Sequence, residues 1–142
     1  MMIVTAIIGL TATIAVPSYT GWLARAQLKE AAMMINSQLT MGRFAAMNRN
    51  RTVTVAVTAV PGQVNITSTD ATGQAMPPYS VNASHVTGVG GVSTFQFNPL
   101  GLRADSGGID QILTVNNKQG LTYSVRVTGG GKASWCPRST CP

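Results

Sequence analysis

From position 1 to position 24 the chain carries no charged residue, and an α-helix of that length crosses about 30 Å of hydrocarbon. Past Arg25 the pattern turns amphipathic without a break. Leu28, Ala32, Ile35, Leu39, Gly42 and Ala46 recur at alternating spacings of four and three, which sets them on one helical face. Lys29, Asn36, Gln38, Arg43 and Asn50 mostly fall elsewhere, and no Gly-Pro or Asn-Gly breaker precedes NRNRT near residue 50. The spacing predicts one helix of about 50 residues, on the order of 75 Å long. Its first half is apolar all round; its second half has a stripe that the rest of the chain must cover. Pro17 removes one backbone hydrogen bond inside the apolar half and is expected to kink or locally melt the turn before it. Gly9 weakens the same half. In lipid, such a break requires neighbours to satisfy the freed groups, which points to packing against other copies of the helix.

After residue 51 the period falls to two. RTVTVAVTAVPGQVNITST alternates Val and Thr on both sides of Pro61 and Gly62, a hairpin signal with strands near 52–60 and 63–68. STFQFNPLG gives a strand near 93–98. DQILTVNNKQGLTYSVRVTGGGK reads as a second hairpin, with strands near 110–116 and 121–128, and KASWC as a short last strand. DATGQAMPPYSVNASHVTGVGG, rich in Gly, Pro and Ser, reads as a loop. The expected class is α+β, with an antiparallel sheet of four or more strands packed on the helix. Three regions follow: an apolar helix over 1–24, the amphipathic half of the same helix over 25–51, and an antiparallel β head over 52–142.

Residues 1–24 are expected to form a transmembrane anchor rather than a cleaved signal peptide. The basic n-region is missing, and TATIAVPSY runs on into helical pattern. Tyr19 and Trp22 stand where an interfacial aromatic belt belongs, with Arg25 just beyond. Only 10% of the residues are charged, against about 25% in a typical soluble domain. The surface of the head must therefore be built from Thr, Ser, Asn, Gln and Gly, which suits a secreted or surface-exposed β domain. Cys136 and Cys141 in WCPRSTCP lack partners for a four-ligand zinc site. A small disulfide loop in an oxidising compartment is expected, with two free cytosolic thiols as the alternative. So short a loop stabilises the fold only slightly, but it pins the terminal turn.

Ten Lys and Arg against four Asp and Glu give a net charge of +6. Such a balance favours nucleic acid, lipid head groups or acidic faces of neighbouring subunits, against a plain role in solubility. Catalytic chemistry is not expected. His85 stands alone in a Gly-rich stretch, and Glu30, Asp70, Asp105 and Asp110 make neither a carboxylate pair nor a cation cage in sequence. GGGKAS fails as a phosphate loop, because Arg126 occupies the first glycine position and Ala133 replaces the Ser or Thr. No cofactor, metal or small-molecule substrate is expected. Arg43, Arg49 and Arg51 lie where cations complement the C-terminal end of the helix.

MIVTAIIGLTATIAVPSY resembles the N-terminal segment of type IV pilins and related pseudopilins. AAMMINSQLTMGRFAAMNRNRTVTV resembles GspH/FimT-type minor pilins, in which a helix ending in Ala-x-x-Arg-Asn precedes the first strand. FQFNPLGLR and SVRVTGGGKASWC are similar to that family's Phe-x-Pro-x-Gly and terminal Gly-Arg strands, so only residues 70–92 go unmatched. Aligned this way, Met1 falls just after the family's glutamate, so a trimmed or misassigned start is expected and no residue is assigned to peptidase cleavage. The resemblance implies a pilin-like fold and a single-pass subunit of the bacterial inner membrane with its head in the periplasm. It then enters a cell-surface pilus, where Ile3, Ile7, Ile8, Leu10 and Ile14 pack against other subunits. A minor pilin that primes or caps a type IV pilus is the leading expectation; a pseudopilin of type II secretion and a major pilin are the alternatives. FimT-like proteins of some competent bacteria bind DNA through Gly-Arg-x-Arg, where this chain has Gly131, Lys132, Ala133 and Ser134. Lys132 and Arg138 flank Trp135, a candidate contact for double-stranded DNA during natural transformation.

Overall fold

A computed structural model describes the backbone of residues 2–104 and 108–141, with side chains from Thr20 onward within them. One helix, α1 (Met2–Arg49), leads the chain. The stripe read from the sequence is the face it buries: Leu28, Ala32, Ile35, Leu39 and Ala46 are fully covered, with Ala24 and Ala31 beside them. Gly42 completes the stripe and lets the helix approach the sheet closely, since a Cβ there would run into Cγ2 of Val55. The helix ends where Asn50 turns left-handed at φ 50°. The Arg51 N–H then reaches the Ala46 carbonyl at 3.1 Å and the Asn50 N–H the Met47 carbonyl at 3.3 Å, the double bond of a Schellman cap.

Eight strands follow: β1 (Val53–Val60), β2 (Gln63–Asp70), β3 (Tyr79–Asn82), β4 (Val86–Gly91), β5 (Thr94–Phe97), β6 (Gln111–Asn117), β7 (Thr122–Val127) and β8 (Ala133–Cys136). They form two antiparallel sheets, ordered β3-β2-β1-β5 and β4-β6-β7-β8. The hairpin expected at Pro61 and Gly62 is β1–β2, closed with Val60 opposite Gln63; the one at NNKQG is β6–β7, with Asn116 opposite Thr122. Alternation sends Val53, Val55, Val57, Val64, Ile66, Phe95 and Phe97 of the first sheet into one core with Leu113, Val115, Val125 and Val127 of the second. The helix stripe closes that core. Each such side chain contributes about 1.5–3 kcal/mol on burial.

The class is α+β, as the pattern indicates, but two points of the reading change. The head has two four-stranded sheets rather than one. Residues 70–92, read as a loop, contain β3 and β4. β3 has a single buried residue, Val81, and β4 is half glycine with a register shift between Val86 and Gly88. Glycine-rich edge segments with a bulge carry little strand propensity; their partners β2 and β6 impose the conformation.

The helical backbone continues through Pro17. The bend expected at Pro17 and the packing role of Ile3, Ile7, Ile8, Leu10 and Ile14 fall on side chains outside the described residues. Among the described residues no helix is long and apolar enough to cross a membrane, and within the 1–24 run side chains are described only from Thr20.

Candidate functional site

The terminal strand carries the residues singled out for binding. β8 pairs with β7, placing Trp135 opposite Val125. The Trp135 ring stacks on Tyr123 at 6.1 Å between centroids, and Lys29 Nζ of α1 lies 6.0 Å from its centre. Trp135 is thus half-buried between sheet and helix. Lys132 and Arg138 stand beyond opposite ends of β8, so a strand of about 3.3 Å per residue separates them. Lys132 belongs to the turn around Gly131, whose φ of +74° and contact with the Gly101 carbonyl admit only glycine.

Cys136 and Cys141 form a disulfide, with Cα atoms 5.7 Å apart. The fully buried Ser124 holds its Oγ 3.1 Å from Cys136 Sγ and 3.2 Å from Cys141 Sγ, which ties the loop to the middle of β7. The loop brings Arg138 to Arg25 of α1. The two line one cleft of about 500 Å³ together with Thr122, Tyr123 and Ser139. Sequence reasoning paired Arg138 with Lys132 and missed Arg25, although its place as the first charge after the apolar run was a signal.

The expected cationic helix end holds the chain together instead of standing free. Arg49 Nη1 donates to Asp70 Oδ2 at 3.3 Å, and Arg51 Nη1 reaches the Thr72 hydroxyl at 3.3 Å. Asp70 is buried at the end of β2. The Thr72 hydroxyl first, then the N–H groups of Gln74 and Thr72 and the Arg49 guanidinium, hold its carboxyl below the ordinary value against the opposing effect of burial. Arg103, also buried, donates to the Val127 carbonyl at 2.6 Å and to that of Ile109, fastening the NPLG turn to the second sheet. His85 is half-buried, and its N–H donates to Gln27 Oε1 at 3.1 Å. Among the described residues no three His, Cys, Asp or Glu side chains gather as a metal cage.

The second unusual surface lies on the helix face turned away from the sheets. Trp22, Met33, Met41 and Phe44 are exposed there by 65%, 46%, 62% and 52%. Such a row of large apolar side chains is what the surface of a solitary domain avoids. Met41 and Phe44 also line a groove of about 530 Å³ with Met76, Pro77 and Tyr79. Among the described residues neither surface places a nucleophile beside a base or a carboxylate beside a carboxylate.

A long leading helix laid on two antiparallel sheets, with a disulfide loop closing the chain, is the pilin fold. Among solved structures the chain is similar to the type IV minor pilin FimU of Pseudomonas aeruginosa in two crystal forms. One gives a TM-score of 0.59 at 17% identity, covering 83% of this chain and 94% of that one; the other gives 0.58 at 16% identity, covering 81% and 97%. At these identities the likeness is one of fold. The sequence matches no family model and no curated protein.

Proposed function

We propose that the protein is a minor pilin subunit of a type IV pilus: a structural component without enzymatic activity. Residues 1–24 anchor it in the inner membrane with the head in the periplasm, Pro17 loosens the helix, and the apolar half then enters the filament. There Ile3, Ile7, Ile8, Leu10 and Ile14 meet neighbouring subunits, and the protein helps to prime or cap the fibre. The observation that carries this reading is the two-sided helix: one face sealed against the head, the other leaving Met33, Met41 and Phe44 about half or more exposed. The similarity to a minor pilin over most of both chains supports it.

The test is the amount of the protein in sheared pili from the bacterium that encodes it. A minor pilin is present at a small fraction of the principal subunit, and its deletion reduces piliation. A band that dominates the fraction indicates a major pilin. Absence from pili, with loss of exoprotein secretion on deletion, indicates a type II pseudopilin. DNA capture for transformation is the second reading, favoured by the exposed cations Lys132 and Arg138 on either side of Trp135. It predicts duplex binding that weakens steeply between about 50 and 200 mM salt and disappears in a Lys132→Ala, Arg138→Ala variant.

A further inference from the structure

The cleft between α1 and the disulfide loop gathers two arginines that no acid among the described residues pairs with. Arg25 and Arg138 both line it, both are exposed, and neither has an acidic partner among the described residues, where Asp70 is taken by Arg49 and Asp110 by Arg126. Glu30, the acid nearest in sequence, faces a separate hollow with Ala26 and Met33. Among the described residues no carboxylate lines the cleft; Thr122, Tyr123 and Ser139 bring hydroxyl-bearing side chains to its walls. Two arginines lining one cleft with hydroxyl-bearing side chains suit the tetrahedral oxygens of a phosphate, which arginine meets with two parallel hydrogen bonds. The walls are held in place, one by the core-packed helix around Ala24 and Leu28, the other by the disulfide and Ser124.

We propose that this cleft binds the headgroup phosphate of an anionic phospholipid. The assignment rests on the anchoring of residues 1–24 described above. Arg25 is the first charge after the apolar run, so the cleft opens at the end of the head from which the anchor emerges. Trp22, one helical turn earlier and largely exposed, marks the depth where aromatic side chains meet lipid headgroups. A duplex fits the cleft less well. It presents a negative charge about every 1.7 Å along its axis and asks for a row of cations, whereas Lys132 lies beyond the far end of β8. The lipid contact orients the head on the membrane before assembly, and it must break when the subunit leaves the bilayer.

The test uses the full chain in neutral maltoside micelles and follows the guanidinium Nε–H resonances of Arg25 and Arg138 by NMR. The probes are dihexanoyl-phosphatidylglycerol, dihexanoyl-phosphatidylcholine, inorganic phosphate and a 12-base-pair duplex. Phosphatidylglycerol is expected to shift both signals saturably, inorganic phosphate to shift the same two more weakly, and phosphatidylcholine to leave them unchanged. Each arginine near an anionic surface supplies about fivefold in affinity. An Arg25→Gln, Arg138→Gln variant, followed through the backbone amides of Thr122 and Ser139 that line the same cleft, therefore raises the half-saturation point about 25-fold, while Arg51→Gln, Lys132→Gln, with the same change in net charge, moves it less than about twofold. Equal losses in both variants overturn the site in favour of diffuse attraction. Saturation by phosphate without phosphatidylglycerol overturns the lipid assignment, and shifts by the duplex alone give the cleft to DNA. Co-flotation with neutral vesicles separates the two readings. Flotation without a resonance shift sinks the cleft and leaves the anchor, whereas failure to float sinks the anchor and the headgroup assignment with it.

Discussion

The two faces of the second half of α1 obey opposite rules. The inward face is made of small and medium residues, Ala24, Ala31, Ala32, Ile35, Leu39, Gly42 and Ala46, and is sealed against both sheets. The outward face carries the apolar side chains Met33, Met41 and Phe44 and leaves about half or more of each in water. Small residues let a helix settle deep into a sheet, and Gly42 does so against Val55. Bulky exposed residues do nothing for the isolated head. The difference separates what folds the chain from what the proposed function would have it offer to others: stability belongs to the inward face, and the proposed assembly contacts fall on the outward one.

The inward face breaks first. Leu39 is fully buried in the core, so Leu39→Ala is expected to cost about 2–5 kcal/mol, measured by urea unfolding of the full chain in micelles. Next comes Gly42→Ala. The new methyl meets Val55 Cγ2, a stiff β-branched neighbour, and overpacking of about 1–3 kcal/mol outweighs the roughly 1 kcal/mol of helix propensity gained. In a Val55→Ala background the same substitution finds room and its penalty vanishes. A double-mutant cycle that shows no coupling contradicts the close approach.

Acid sharpens the comparison at the helix end. Asp70 has its carboxyl held below the ordinary value of 3.8 by Thr72, Gln74 and Arg49. A lowered folded-state value means stability that is present above pH 3.8 and is lost as pH falls through the folded value. Melting temperatures of the wild type should therefore drop on acidification below about pH 4, with a flatter acid limb in Asp70→Asn. Parallel limbs mean that the carboxylate does not tie the helix end to β2.

How much of this was legible in the sequence follows from where the information lies. The inward stripe was readable because a helical period of 3.6 is local, and all six residues picked by spacing are buried. β1, β2, β6 and β7 were readable because Val and Thr alternate around local turns. β3 and β4 were not, since their conformation is set by pairing with β2 and β6 rather than by their own residues. The split into two sheets depends on non-local pairs such as β1 with β5 and β4 with β6, which no local pattern encodes. The candidate site failed in the same way. Lys132 and Arg138 look adjacent along the chain, but an extended strand parts them, and Arg138 shares a cleft with Arg25 only because the helix lies beside the disulfide loop. The outward stripe was hidden for another reason. Only the stripe that the sheets cover was picked by spacing, and Met33, Met41 and Phe44 lie off it.

The smallest effect on stability should accompany the largest effect on function. Met41→Gln with Phe44→Gln removes the exposed apolar pair while keeping a helix-compatible residue, at an expected cost of about 1 kcal/mol. The decisive measurement is the amount of this variant in sheared pili, with its unfolding curve and membrane level recorded alongside. The account predicts a folded protein that reaches the membrane normally and is depleted at least about tenfold from pili, the loss expected from roughly 1.4 kcal/mol of contact energy. A variant that enters pili at the wild-type level contradicts it, and the outward face of the helix then has no part in assembly.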